Sequence, residues 1–170
     1  MFQGCYNLSA FGWNLNGATG VFFESSYARA MFKGCSQLTP EFTGFGFPNC
    51  RHNMSLDEAF YGVNIANLDV IANSLTGCTG VFRYANIDNL YFSITSAVLC
   101  NYVFQGATIG TLDFWMNDVT QWSEMFYNAS IGSVSIIADK CTNFHCMFCD
   151  TGLSSFTIST NSFNSNVTDL

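Results

Sequence analysis

Phenylalanine returns along this chain at a fixed interval, and that interval restricts what the chain can fold into. A Met, Val or Ala followed by Phe occurs as Met1-Phe2, Met31-Phe32, Ala59-Phe60, Val81-Phe82, Val103-Phe104, Met125-Phe126 and Met147-Phe148, with the Phe residues 30, 28, 22, 22, 22 and 22 apart. Five consecutive anchors at one spacing define a period of about 22 residues, the mark of a repeat architecture.

The residues around each anchor keep the same register. Three positions after Phe stand Cys5, Cys35, Val63, Ala85, Ala107, Ala129 and Thr151, a column expected to be buried and cramped. Five positions after it come Ile65, Ile87, Ile109, Ile131 and Leu153. Eight and ten positions after it come Leu68/Val70, Leu90/Phe92, Leu112/Phe114, Val134/Ile136 and Phe156/Ile158, an alternation that predicts one short strand per repeat. Seven positions before the anchor stand Leu75, Ala97, Val119 and Cys141, and four before it Cys78, Cys100, Trp122 and Phe144; this spacing of three and four predicts a short helix.

One strand and one helical turn cannot bury their own apolar face, so successive units must stack with parallel strands about 4.8 Å apart. The expected fold is an α/β solenoid: a leucine-rich-repeat-like coil of about seven 22-residue strand-plus-short-helix repeats with a parallel β-sheet, forming one domain over residues 1–170. Residues 1–53 are less regular, and their longer intervals predict loop insertions around Phe11 to Tyr27 and Phe42 to Asn53; Gly44, Gly46 and Pro48 fit loop rather than element. Residues 54–170 hold the regular repeats.

Met1-Phe2-Gln3-Gly4-Cys5-Tyr6-Asn7-Leu8 and Met31-Phe32-Lys33-Gly34-Cys35-Ser36-Gln37-Leu38 resemble the "MFxGCxxL" core of BspA-type leucine-rich repeat proteins, and Asn166-Val167-Thr168-Asp169-Leu170 resembles that family's "NVTDM" segment. The later repeats keep Phe but replace Gly-Cys by Tyr-Ala, Gly-Ala or Asn-Ala. The resemblance implies a solenoid displayed on the surface of a bacterium, a protist, or a phage or other virus particle, used for adhesion and without catalytic residues.

Composition narrows the partners. Only 17 of the 170 residues are charged, and Asn, Ser and Thr, at 17, 17 and 14, must solvate the surface instead. A net charge of −7 with five basic residues leaves no electrostatic footprint for a phosphate backbone or an anionic bilayer, so nucleic acid is not an expected partner. No apolar run approaches the roughly 18 residues that span a bilayer, so membrane insertion is not expected. The N-terminus lacks a basic start followed by an apolar stretch, so any leader is expected to have been removed.

Phe2 already occupies an anchor column, and one further step from Phe148 falls on Leu170, so both ends of the coil are expected to be open. Solenoids need polar caps, and bare strand edges recruit other chains. The expectation is a fragment of a longer chain, or self-association.

Most of the eight cysteines fall on repeat columns. Cys78 and Cys100 share one on adjacent coils, close enough for a disulfide but expected as stacked buried thiols. The segment Cys141-Thr142-Asn143-Phe144-His145-Cys146-Met147-Phe148-Cys149-Asp150 concentrates possible zinc ligands, with Cys146 and Cys149 in a C-x2-C spacing. Its members belong to different columns and no second C-x2-C accompanies it, so no metal site and no cofactor is expected. Neither of the two histidines sits in a catalytic motif, and the acidic residues come mostly one per repeat, so no enzyme is expected.

The strand positions facing away from the core form ladders: Asn67, Asn89, Thr111, Ser133, Ser155; then Asp69, Tyr91, Asp113, Ser135, Thr157; then Ile71, Ser93, Trp115, Ile137, Ser159. Uncharged hydrogen-bonding groups with two aromatic plates suit a glycan or a protein partner. Asp69, Tyr91, Asp113 and Trp115 are therefore the candidate binding residues. Asn7, Asn53, Asn128 and Asn166 stand in N-x-S/T triplets, which matter only in a eukaryotic secretory pathway. The expected function is a non-enzymatic module, extracellular or on a cell or virion surface, binding a protein or glycan receptor; the alternative is a virion, fibre or filament subunit that self-assembles through its open ends.

Overall fold

A computed structural model describes residues 3, 28–37, 42–47, 54–97, 99–116, 118–119, 122–137 and 145–159. Seven strands form one sheet: β1 (Phe42–Phe47), β2 (Met54–Ser55), β3 (Asn64–Gly77), β4 (Asn86–Ala97), β5 (Thr108–Met116), β6 (Ser130–Ile137) and β7 (Gly152–Ser159). The order is β1-β3-β4-β5-β6-β7, with β2 beside β3, and every pairing is parallel. From β3 onward the register advances by one repeat at each step, as in Ile65↔Ile87, Ile87↔Ile109, Ile109↔Ile131 and Ile131↔Leu153. The chain is a parallel β-solenoid, and β3 to β7 make about four turns of 22 residues.

The anchors stack as the recurrence requires. Rings Phe32, Phe60, Phe82, Phe104, Phe126 and Phe148 follow one another at centroid distances of 5.5, 5.5, 5.5, 5.0 and 5.1 Å, with the last three pairs within 6° of parallel. Phe2 lies outside the described residues. A second stack, Phe92 on Phe114 at 5.5 Å, meets the first edge-on: Phe82 to Phe92 at 83° and Phe104 to Phe114 at 89°. The small column three positions after the anchor is buried at Cys35, Val63, Ala85, Ala107 and Ala129, beside the ring ladder. No polar or charged residue is buried among the described residues, so the core is held by apolar burial and ring contacts.

The helix expected before the anchors is not found: no helix occurs among the described residues, and residues 141–144, before Phe148, lie outside them. Instead, the residues two before and two after each of the six described anchors have φ between +48° and +74°. These left-handed positions break any helical run. Alternate N–H groups, those of the left-handed residues and of the anchor between them, leave the coil, as Gly80, Phe82 and Tyr84 donate to the carbonyls of Asn101, Val103 and Gln105 on the next turn at 3.0, 2.8 and 2.9 Å. The alternate residues close turns within the coil, as in Arg83 N–H to Gly80 and Ala85 N–H to Phe82. Hydrogen bonds between coils thus replace the i to i−4 bonds of a helix, while Cys78 and Cys100 still face inward at the expected spacing.

The loop expected over Phe42 to Asn53 is corrected in its first part, since Phe42–Phe47 is strand β1, paired with β3 through a register shift between Phe42 and Phe45; residues 48–53 lie outside the described residues. The glycines that suggested a loop fit a bulged strand, and β3 supplies unpaired backbone groups for it to satisfy. The insertion around Phe11 to Tyr27 and the string Asn166 to Leu170 lie outside the described residues.

Gly34, Gly62 and Gly106 occupy the position two after the anchor, where "MFxGCxxL" places its glycine, with φ of +74°, +65° and +65°. No atom lies within 4 Å of a Cβ placed on Gly62, so Gly62→Ala isolates the cost of the left-handed backbone. The expected loss is about 1–2 kcal/mol in urea unfolding; an unchanged midpoint would show that this turn relaxes at no cost.

Candidate binding face

The outer face of β3–β6 follows from strand alternation. In β4, Leu90, Phe92 and Ile94 are buried while Asn89, Tyr91 and Ser93 face outward; in β5, Leu112, Phe114 and Met116 are buried while Thr111, Asp113 and Trp115 face outward. Direct pairing Asn67↔Asn89↔Thr111, Asp69↔Tyr91↔Asp113 and Ile71↔Ser93↔Trp115 places the three sequence-derived ladders side by side.

A shallow depression of about 380 Å³ lies on this face, lined by Asn67, Asp69, Asn89, Leu90, Tyr91, Thr111 and Asp113. Asp69 and Asp113 flank the Tyr91 ring from neighbouring strands, so their Cα atoms are roughly 10 Å apart. Asn89 Nδ2 donates to Asn67 Oδ1 at 2.8 Å on the rim, and Asn86 Nδ2 to Asn64 Oδ1 at 3.0 Å outside it, so two amide pairs bridge β3 and β4. Trp115, 42% exposed, stands one outward position along the strand and does not line the depression. The structure therefore joins Asp69, Tyr91 and Asp113 in one hollow and leaves Trp115 as a separate plate beside it. Strands β3–β7 contain no Lys, Arg or His, so the charge of the face comes from Asp69, Asp88 and Asp113. The donors and acceptors, the aromatic plate and the carboxylates can bind a polyhydroxylated or amine-bearing group by hydrogen bonding and stacking.

Sequence reasoning missed the turn side of the coil, where Arg29, Lys33 and Arg83 stand. Lys33 Nζ bonds Glu58 Oε2 at 2.6 Å and lies 4.5 Å from the centre of the Tyr61 ring. The Arg83 guanidinium lies over Tyr84 at 5.1 Å, Tyr61 meets Tyr84 edge-on at 5.4 Å, and Tyr102 Oη donates to Glu124 at 3.3 Å. The columns two before, one after and two after the anchor carry the contacting groups, and the Lys33 contacts cross the unequal 28-residue step from Phe32 to Phe60 while those of Tyr61 with Tyr84 and Tyr102 with Glu124 cross 22-residue steps.

The cysteines divide into two settings. Cys78 and Cys100 are buried free thiols on adjacent coils, and burial, then the hydrogen bond to Cys100, pushes the Cys78 thiol well above its ordinary range. Cys146 and Cys149 are free and partly exposed, while Cys141 lies outside the described residues. No group of three or more His, Cys, Asp or Glu able to hold a metal occurs among the described residues. No described helix is long and apolar enough to cross a membrane. No family model, no curated protein and no solved structure matches this chain.

Proposed function

We propose that this chain is a non-enzymatic display module, exposed on a cell or virus surface as the BspA-type resemblance implies, whose outer strand face binds a glycan receptor. The observation that carries this reading is the register-aligned hollow in which Tyr91 stands between Asp69 and Asp113, with Asn67, Asn89 and Thr111 along its rim. A rigid parallel sheet holds these groups at fixed spacing, so little conformational entropy is lost on binding. Trp115 extends the platform along the strand.

The test is binding of the purified chain to an immobilised glycan array, with Tyr91→Ala and Trp115→Ala compared with the parent. Both side chains point away from the core, so far-UV circular dichroism is expected to be unchanged while Tyr91→Ala weakens binding about tenfold or more, the equivalent of about 1.4 kcal/mol; Trp115→Ala is expected to have a smaller effect. A parent chain that binds no glycan, or variants that bind as well as the parent, would overturn the reading.

A second reading rests on a different observation. Phe156, on the last described strand, is 42% exposed in the column where Leu68, Leu90, Leu112 and Val134 are buried. An exposed core-column residue on a strand whose outer edge pairs with no other strand among the described residues favours a structural subunit that self-assembles through this edge. A concentration-independent oligomer that dissociates with Phe156→Asp and binds no glycan supports this alternative.

A further inference from the structure

Two partly exposed thiols share the turn at the end of the ring stack. Cys146 stands two residues before Phe148 and Cys149 one after it, and no other described coil has cysteine at both positions. Cys149 N–H donates to the Cys146 carbonyl at 3.2 Å, which closes a β-turn. Such a turn keeps its end Cα atoms within about 7 Å, a separation a disulfide can bridge.

The direction of the two Cβ atoms can be read from an equivalent turn. Gly80 and Arg83 hold the same two positions around Phe82, with the same backbone bond at 3.1 Å and a φ of +60° at Gly80 against +48° at Cys146. A Cβ placed on Gly80 lies 3.6 Å from the Arg83 Cβ, within the roughly 3.5–4.5 Å that disulfides require. A hydrogen bond to Cys146, then partial burial, pushes the Cys149 thiol up to about 11.

We propose that Cys146 and Cys149 are a modification site, a redox-reversible disulfide that closes the turn around Phe148 by exchange with a small disulfide such as oxidised glutathione. The Cys146 thiolate attacks one sulfur of the external disulfide and expels one small thiolate. Cys149 then loses its proton and attacks the Cys146 sulfur of the mixed disulfide, expelling the second. The protein thiols give up two electrons and two protons, and the external disulfide is reduced to two thiols. Cys78 and Cys100, fully buried, are out of reach of the same reagent and remain thiols.

The full chain is equilibrated in glutathione buffers of increasing oxidised fraction, quenched in acid, alkylated and mapped by peptide mass. The expected result is one intramolecular bridge between Cys146 and Cys149 that appears in a single two-electron transition and is fully reversed by reduced glutathione. Cys149→Ser is expected to hold a lasting glutathione adduct on Cys146, because the resolving thiol is gone. The double variant Gly80→Cys, Arg83→Cys is expected to gain a second bridge of the same kind. Alkylation of both cysteines across the whole series, or a bridge from either to any other cysteine, overturns the proposal. So does a parent chain that accumulates glutathione adducts at Cys146 without closing the ring; this readout does not depend on whether a variant folds.

Discussion

Truncating Phe104 to alanine lowers the unfolding free energy by about 3–5 kcal/mol, the largest loss expected from any single truncation in this chain. The ring is fully buried. It stacks on Phe82 at 5.5 Å and Phe126 at 5.0 Å, and meets Phe114 edge-on at 5.2 Å and Phe92 at 6.2 Å. The cavity left by its removal opens onto both ring stacks, and each coil is coupled only to its neighbours, so no distant contact compensates. Phe148→Ala should cost less, because that ring is only partly buried and stacks on Phe126 alone among the anchors. Urea unfolding followed by far-UV circular dichroism measures both. A Phe104 loss below about 1.5 kcal/mol would show that the ladder is not the centre of the core.

Gly110→Ala is expected to cost about 3 kcal/mol, the upper end for an overpacked site. A Cβ there would lie 2.5 Å from the Asp88 carbonyl oxygen of the preceding coil, and that oxygen belongs to backbone that cannot swing aside. The contact falls at the corner where the pairing passes from Ile87↔Ile109 to Asn89↔Thr111 and omits the residue between. Gly132→Ala meets the Gly110 carbonyl in the same way, also at 2.5 Å. Gly106→Ala is the control: its Cβ would meet the Tyr84 ring, whose exposure leaves room to rotate, so the left-handed backbone cost of about 1–2 kcal/mol should dominate. If Gly110→Ala melts with the parent, the corner opens to admit a side chain, as it does for Asp88 one coil earlier.

How much of this was legible follows from the physics of each feature. The ladders Asn67 to Asn89 and Asp69 to Tyr91 could be read because, in a stacked coil, equal spacing in sequence becomes direct pairing in space. The inward and outward faces could be read because a strand alternates them with a period of two. The pre-anchor segment could not. Cys78 and Phe82, four apart, both point inward in a helix and equally in a turn broken by left-handed residues, and side-chain spacing does not distinguish the two. Strand β1 was hidden by Gly44 and Gly46, which signal a loop unless a neighbouring strand edge is waiting to be paired.

The candidate site shows the same division. Asp69, Tyr91 and Asp113 were named from their column, and their pairing puts them in one hollow. The separation of Trp115 from that hollow depends on how far each side chain reaches across a twisted sheet, which the column does not encode. The contacts of Lys33 with Glu58 and Tyr61 join coils whose anchors are 28 residues apart, so no constant period could align them.

The amino-acid order alone determined the pitch of the coil, the buried columns and the parallel stacking, because those depend only on which side chains must be hidden and how often they recur. Tertiary structure decided where each backbone N–H goes. That choice is made between coils, in bonds such as Phe82 to Val103, and it turned the expected helix into a chain of left-handed turns and brought Cys146 against Cys149.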